Sequence, residues 1–235
     1  SDSDLEVIGL MLETLRICGI APVHVDLGHV AVFRGLAAQA GFSPDDESEF
    51  FELLQRKALP EIRAFLSSRA LPADVAEMLR ALAALNGGPA MLEEARAILV
   101  RANPAVRDAL EETARIAQAV SARYPEVELH IDLAELRGYC YHTGVVFAAY
   151  VPGQGQEVAR GGRYDEIGSV FGRARPARGF STDLRLLSRL SELDTRAAGG
   201  IFAPDETDPA LDEAVRSLRS AGERVVRALS GQTSG

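Results

Sequence analysis

The sequence predicts an α+β fold, in which an antiparallel sheet carries flanking helices and a helical insert. Apolar and polar residues alternate at 127–133, and strand-like runs continue at 141–151 and 157–160. The connections between these runs are short, which is typical of antiparallel neighbours. Residues 43–123 carry Ala, Leu, Glu and Arg at helical spacing instead, and Pro or Gly breakers divide them into short helices.

The first predicted elements are a helix, a strand and a second helix. Ser3 or Asp4 can cap the first helix, which runs to about Ile17 by the spacing of its apolar residues. Alternation at 23–27 predicts a strand that is buried on one side, and a second helix follows over 30–40. These elements supply the amino-terminal part of the predicted sheet layer.

In the carboxy-terminal third of the chain, the sequence predicts a helix and then a βαβ unit. Gly179-Phe180 leads into the predicted helix, over 181–190, and after Gly200 the chain shows strand, helix and strand patterns. The predicted domains are a sheet-containing core that lacks its amino-terminal end (1–42 and 124–195), a helical insert (43–123) and a partial carboxy-terminal α/β segment (196–235). The sequence has no initiator Met, and we expect it to be a piece of a longer protein.

Composition narrows the classes of partner. The 235 residues are 47% hydrophobic, which predicts a packed core. The formal net charge is −9 and the cations form no block, so we expect no tRNA or duplex partner. The two cysteines form no C-x-x-C pair, and neither a metal nor a cofactor is expected. No run suits a membrane span or a signal peptide, which predicts a soluble cytoplasmic protein.

Residues 136–165 carry the clearest functional signal. Gly161-Gly162 lets the backbone approach a ligand closely, and Arg163-Tyr164-Asp165 adds a cation, a phenol and a carboxylate directly after it. A second cation, at position 137, opens the preceding strand and can face the same pocket. Such a cluster suits a small zwitterion with a polar ring, such as a free amino acid.

Three segments resemble a known family: VHVDLGHVAVFRGL (23–36), YHTGVVFAAYVPG (141–153) and ARGGRYDEIGSVFGRARPARGFSTDLR (159–185). They resemble the histidine-binding signatures of histidyl-tRNA synthetase, and more closely its catalytically silent paralogue, the regulatory subunit of ATP phosphoribosyltransferase. The resemblance covers about 5–190. The family's amino-terminal part, with its dimer-interface and arginine-bearing motifs, is not represented.

The resemblance implies a class II aminoacyl-tRNA synthetase-like sheet and a histidine site. The implied histidine-binding residues are Arg137, Tyr141, His142, Tyr164, Gly161 and Gly162. Arg137 would hold the carboxylate, and His142 stands where a tyrosine recognises the imidazole ring. Structural roles stay open beside these: a strand-end salt bridge for Arg137, a buried hydroxyl for Tyr164 and close backbone packing for the two glycines. We expect Arg163 and Asp165 to form a structural ion pair.

The third synthetase motif is interrupted. Where the resemblance implies Gly-Phe-Ala-x-Gly-x-Glu-Arg, the chain has GFSTDLRL at 179–186. Asp183 replaces a glycine beside the nucleotide phosphates, and its negative charge is unfavourable there. Leu186 replaces the arginine that clamps those phosphates and cannot donate a hydrogen bond. We therefore expect that amino-acid activation by ATP is lost while the amino-acid pocket is kept.

The resemblance implies a non-catalytic role in the first step of histidine biosynthesis. Family members assemble with a short catalytic subunit that joins ATP to phosphoribosyl pyrophosphate, activate it and mediate feedback by free histidine. Self-association is also expected. Two other classes remain open: an active histidyl-tRNA synthetase, and a stand-alone amino-acid-binding module with no such partner.

Overall fold

The structure is a computed structural model that describes residues 2–134, 138–139, 141–191, 193 and 199–230. It divides into two compact units, residues 1–192 and residues 193–235. The helices are α1 Asp2–Ile17, α2 Val30–Ala40, α3 Pro44–Gln55, α4 Leu59–Ser67, α5 Ala73–Leu82, α6 Met91–Ile98, α7 Pro104–Arg123, α8 Leu184–Leu190 and α9 Pro209–Ser220, with a 3-10 helix at Ile167–Phe171. The strands are β1 His24–His29, β2 Asn86–Gly87, β3 Glu128–Asp132, β4 Val145–Tyr150, β5 Ala159–Arg163, β6 Arg178–Thr182, β7 Ile201–Ala203 and β8 Val225–Arg227.

The first unit contains a six-stranded mixed sheet in the order β2-β3-β1-β4-β5-β6. The prediction of a wholly antiparallel sheet is wrong at one pair, because β1 and β3 run parallel, with Val25 opposite Leu129. The helices between these two strands form the long crossover that a parallel pair requires. The link from β3 to β4 is short, but it is no hairpin, because β1 lies between these strands.

The region after β5 also differs from the prediction. Residues 178–182 form the edge strand β6, which pairs with β5, whereas the sequence predicted a helix from 181 onward. The α8 helix begins only at Leu184, because the Asp183 side chain accepts hydrogen bonds from the backbone N–H groups of Arg185 and Leu186. Asp183 is therefore the N-cap of α8, and the strand before it brings Gly179 and Phe180 next to β5.

The helices of residues 43–123 share one hydrophobic core with the sheet. Phe50 of α3 and Leu79 of α5 are fully buried in the same cluster as Val25 and Leu27 of β1. The long helix α7 begins at its cap Asn103 and packs against α2 and β1. Residues 43–123 thus belong to the same compact unit as the sheet, and their separation as an insert stays a prediction.

The second unit has the predicted βαβ arrangement. The strands β7 and β8 are parallel, with Phe202 opposite Val226, and α9 connects them. Asp208 caps α9. The small hydrophobic core of this unit consists of Ala203, Val215 and Val225. Within the described part of the chain, no helix has the length and apolar character needed to cross a bilayer.

Candidate functional site

A cavity of about 400 Å³ opens on one face of the sheet in the first unit. Strands β4, β5 and β6 form its base, and Gly138, Tyr141 and His142 form one wall. Its lining residues are Gly138, Tyr141, His142, Val146, Phe147, Ala148, Arg160, Gly161, Tyr164, Gly179, Phe180 and Ser181. The cavity is large enough for a free amino acid, and it coincides with the segment that carried the strongest sequence signal.

Two facing glycines form a floor beneath two of the aromatic side chains that line this cavity. Gly162 of β5 lies directly opposite Gly179 of β6. A Cβ atom on Gly162 would come within 2.6 Å of the His142 ring and 2.7 Å of the Val145 carbonyl oxygen. A Cβ atom on Gly179 would lie 2.5 Å from the Tyr164 hydroxyl. The His142 ring and the Tyr164 hydroxyl therefore lie against bare backbone, which only glycine permits at these positions.

Three aromatic rings surround the space above that floor. The ring centroids of Tyr141 and Tyr164 are 5.0 Å apart and those of Tyr141 and His142 are 5.3 Å apart. His142 and Tyr164 are 6.4 Å apart at an interplanar angle of 61°. Rings at these separations attract each other weakly and present both apolar faces and polar atoms to a ligand.

The backbone of Gly138 orients His142. Gly138 has φ of 69°, and its carbonyl oxygen accepts hydrogen bonds from the backbone N–H groups of Tyr141 and His142 at 2.7 and 2.9 Å. The same oxygen lies 3.2 Å from His142 Nδ1. Because a carbonyl can only accept, Nδ1 carries the proton in this contact, which leaves Nε2 of the neutral ring as an acceptor.

The structure brings most of the sequence-predicted site residues together. Tyr141, His142, Gly161 and Tyr164 line the cavity, and Gly162 underlies the His142 ring. Arg137 lies outside the described residues. The close backbone packing expected of the two glycines is confirmed, since a Cβ atom on Gly161 would collide with the Phe147 ring.

Several cavity residues were not predicted from the sequence. Arg160, Ala148 and Ser181 lie side by side across β5, β4 and β6, at the end of the cavity away from the three rings. Alternation along β5 could have indicated Arg160, because it lies two residues before Gly162 and so shares its face. Ser181 could not be found in this way, because β6 was predicted as the start of a helix.

The residues that replace the synthetase phosphate clamp have other structural partners. The Asp183 carboxylate accepts from the backbone N–H groups of Arg185 and Leu186 in the first turn of α8, and so places a negative charge where an anion would otherwise bind. Leu186 packs against the hydrophobic core, and Arg185 points to solvent as an exposed side chain. This arrangement suits a short, capped surface helix and is poorly suited to triphosphate.

A buried ionic cluster lies under β5 and β6, in contact with α1 and α7. Arg163 donates to Glu112 at 2.6 and 3.1 Å and also to Asp4, while Arg178 donates to Asp4 at 3.0 Å. The predicted ion pair between Arg163 and Asp165 is therefore wrong. The Asp165 carboxylate instead accepts from the backbone N–H of Ala177, because it projects toward the loop before β6.

His29 completes this cluster and fixes its protonation pattern. The backbone N–H of Ala31 donates to His29 Nδ1 at 3.2 Å, so Nε2 carries the proton and donates to Glu112 at 3.1 Å. The hydrogen bond from His29 is the largest of several influences that hold the pKa of Glu112 well below its usual range, and Arg163 adds to it against the opposing effect of burial. Burial lowers the pKa of Arg163, but Glu112 and Asp4 outweigh it and raise that pKa.

Two family models match the chain. The histidyl-tRNA synthetase model matches residues 1–187, and the model of the ATP phosphoribosyltransferase subunit HisZ C-terminal domain matches residues 198–235. The chain is also similar to curated relatives named ATP phosphoribosyltransferase regulatory subunit, in agreement with both family models. The protein of Thioalkalivibrio sulfidiphilus is 62% identical over 98% of this chain and 59% of its own length. That of Ectopseudomonas mendocina is 56% identical over 98% of this chain and 58% of its own length.

Solved structures support the fold assignment. An ATP phosphoribosyltransferase regulatory subunit/histidyl-tRNA synthetase from Bacillus halodurans superposes with a TM-score of 0.78 at 29% identity, over 99% of this chain and 60% of that chain. The ATP phosphoribosyl transferase (HisG:HisZ) complex from Thermotoga maritima has a TM-score of 0.60 at 21% identity, over 77% of this chain and 60% of that chain, which is a likeness of fold.

The resemblance predicted from residues 23–36, 141–153 and 159–185 is thus confirmed, as is the class II synthetase-like fold with its flanking helices. The chain spans about three fifths of the length of these curated relatives. It belongs to the histidyl-tRNA synthetase family, and within that family it is similar to the ATP phosphoribosyltransferase regulatory subunits.

Proposed function

We propose that this protein is the non-catalytic regulatory subunit of an ATP phosphoribosyltransferase and that it binds free histidine in the cavity on β4–β6. The observation that carries this proposal is the contrast between the two parts of the site. The ring-lined part around His142 and Tyr164 is open and polar enough for an amino acid. The part that would hold triphosphate has Asp183 as a helix cap and Leu186 packed against the core.

Histidine fits the ring-lined part chemically. The exposed faces of the Tyr141, His142 and Tyr164 rings offer apolar contact to its imidazole ring, and their polar atoms suit the imidazole nitrogens. Tyr164 can contribute a ring face or its hydroxyl. Arg137 is proposed to hold the ligand carboxylate, on the strength of the family resemblance. A polar pocket of this kind rejects an apolar amino acid of similar size, because its hydrogen-bonding groups would then lose their partners.

The proposed partner is the short catalytic subunit, which joins ATP to phosphoribosyl pyrophosphate. Histidine would act by binding one state of the assembly more tightly than the other, with a coupling free energy of about 1–3 kcal/mol. The formal net charge of −9 suits a protein partner better than tRNA. Self-association and a cytoplasmic location belong to the same proposal.

An activity assay of the reconstituted complex tests this function. The intact protein is added to the short catalytic subunit with ATP and phosphoribosyl pyrophosphate, and product formation is followed at increasing histidine. We expect the intact protein to raise the turnover and histidine to lower it again. A Tyr164→Ala variant should still raise the turnover but should require more histidine for inhibition. Turnover that is unaffected by the intact protein would contradict the proposed role.

The two alternatives predict different outcomes. An active histidyl-tRNA synthetase would exchange pyrophosphate into ATP when histidine is supplied, whereas the capped α8 and the apolar Leu186 predict no exchange. A stand-alone amino-acid-binding module would bind histidine but leave the turnover of the catalytic subunit unchanged. Exchange, binding and activation together therefore separate the three classes.

A further inference from the structure

The single lysine of the chain occupies an unusual backbone position. Lys57 has φ of 47°, and within the described ranges no other residue except glycine has a positive φ. The left-handed region crowds the Cβ atom of an L-amino acid, and for this reason glycine is favoured there. A lysine at this position therefore carries a conformational cost that glycine would avoid.

The backbone around Lys57 is a Schellman motif that ends α3. The N–H of Lys57 donates to the Leu54 carbonyl at 2.9 Å, and the N–H of Ala58 donates to the Leu53 carbonyl at 3.0 Å. In this motif the left-handed position is usually glycine. The helix end alone would thus be served best by glycine, and the reason for lysine has to lie in its side chain.

That side chain reaches the end of β3. Lys57 Nζ donates to Asp132 Oδ2 at 2.9 Å, and the other carboxylate oxygen of Asp132 accepts from the backbone N–H of Ala134 at 2.8 Å. The Lys57 side chain is 46% exposed. An ion pair with one exposed member contributes little to global stability, so the pair is better explained by what it positions.

The Lys57–Asp132 pair holds the chain directly before the wall of the cavity. Gln55 Nε2 donates to the Ala134 carbonyl at 2.8 Å, so the end of α3 contacts both Asp132 and Ala134. Only four positions after Ala134 comes Gly138, whose carbonyl orients the His142 ring. Asp132 and Ala134 are thus held six and four positions before Gly138.

Tyr139, which directly follows Gly138, is anchored as well. Arg34 Nη2 of α2 donates to the Tyr139 carbonyl at 2.6 Å, and the Arg34 guanidinium lies 4.7 Å from the centroid of the Tyr139 ring. The same ring packs against Phe33 and Phe51, each with centroids 5.2 Å away. Tyr139 is thus held between α2 and α3. Lys57 supplies an ionic contact earlier in the chain, at Asp132.

We propose that Lys57 is a positioning residue for the histidine site, although it lies outside the cavity. Its pair with Asp132 fixes the start of the segment that presents Tyr141 and His142 to the ligand. A binding site tolerates displacements of only a fraction of an ångström, so loosening this pair should weaken histidine binding without unfolding the protein. This inference rests on the proposed function and gives the end of α3 a role in it.

Calorimetric titration of the intact protein with L-histidine tests the proposal, together with thermal denaturation of each variant. Lys57→Gly removes the ammonium group while relieving the left-handed strain. We expect its dissociation constant for histidine to rise about threefold to thirtyfold, while its melting temperature stays at or above that of the wild type. Asp132→Asn should weaken binding similarly, and the double variant should be no weaker than the weaker single variant.

Arg101→Met is the matched control, because it breaks an exposed ion pair with Asp74 in the same helical region. It should leave histidine affinity unchanged. Histidine affinity of Lys57→Gly within twofold of the wild type would overturn the positioning role. An equal loss of affinity in Arg101→Met, or a loss in Lys57→Gly that comes with a lowered melting temperature, would overturn it too. If the wild type itself binds no histidine, the proposed function fails together with this inference.

Discussion

At the scale of single residues, the site depends on positions where no side chain is present. Gly162 and Gly179 face each other across β5 and β6, and the His142 and Tyr164 side chains lie against them. The sequence indicated the importance of Gly161-Gly162 because two glycines precede Arg-Tyr-Asp. It could not indicate Gly179 as their partner, since that pairing depends on β6.

The Gly162→Ala substitution should damage the site directly. The added methyl group would lie 2.6 Å from the His142 ring and 2.7 Å from a backbone oxygen, so the ring has to move. We expect histidine affinity to fall at least tenfold, equivalent to about 1.4 kcal/mol, in calorimetric titration. Gly155→Ala is the control, because nothing lies within 4 Å of the added atom. Equal affinities for the two variants would argue against a ligand next to Gly162.

The ion partners of Arg163 show the limit of local inference. The sequence suggested Asp165, two positions away, but the structure pairs Arg163 with Asp4 and Glu112, which are 159 and 51 positions away. When ion pairs are predicted from a sequence, oppositely charged residues that are close in the chain are considered first. Only the packing of α1 and α7 against the sheet brings the distant carboxylates into reach.

At the scale of elements, the sequence was most accurate where caps and apolar periodicity agree. The helix predicted over 30–40 is α2, with the same bounds, because His29 caps it and Gly41 ends it in the left-handed conformation. The strand β6 was missed because Arg178-Gly179-Phe180-Ser181-Thr182 has no clear alternation of apolar and polar residues. Its identity as a strand follows from pairing with β5 rather than from its own composition.

The cap of α8 is a testable element-level feature. Asp183→Ala removes the acceptor for two backbone N–H groups of a helix that has only seven residues. We expect the free energy of unfolding to fall by about 1 kcal/mol in urea denaturation. Asp183→Asn keeps an acceptor oxygen and should lose much less. A stability of Asp183→Ala that equals the wild type would show that the cap is not formed in solution.

At the scale of the whole molecule, the sequence predicted the α+β class but not the complete strand order. The parallel pair of β1 and β3 depends on a crossover of nearly a hundred residues, and strand patterns carry no information about such distant pairing. The buried ionic cluster likewise depends on contacts between residues that are distant in the chain. It joins α1, α7, β5 and β6 through Asp4, Glu112, Arg163 and Arg178.

This cluster predicts a specific response of stability to acid. The folded-state pKa of Glu112 lies below its ordinary value of 4.5, so its contribution to stability is present above about pH 4.5 and is lost as the pH falls further. Urea denaturation at pH 7 and pH 4 should therefore show a smaller loss of stability for Glu112→Gln than for the wild type. Glu77→Gln, an exposed carboxylate on α5, should behave like the wild type. The same loss in all three proteins would exclude Glu112 as a source of acid sensitivity.

The central claim is that the amino-acid half of a synthetase-like site is kept while the nucleotide half is not. Calorimetric titration of the intact protein with L-histidine, in the presence and absence of ATP, tests it most directly. We expect saturable histidine binding at one site per chain, with an affinity that ATP does not change. Absence of histidine binding in a folded sample, or binding that ATP strengthens, would contradict this account of the site.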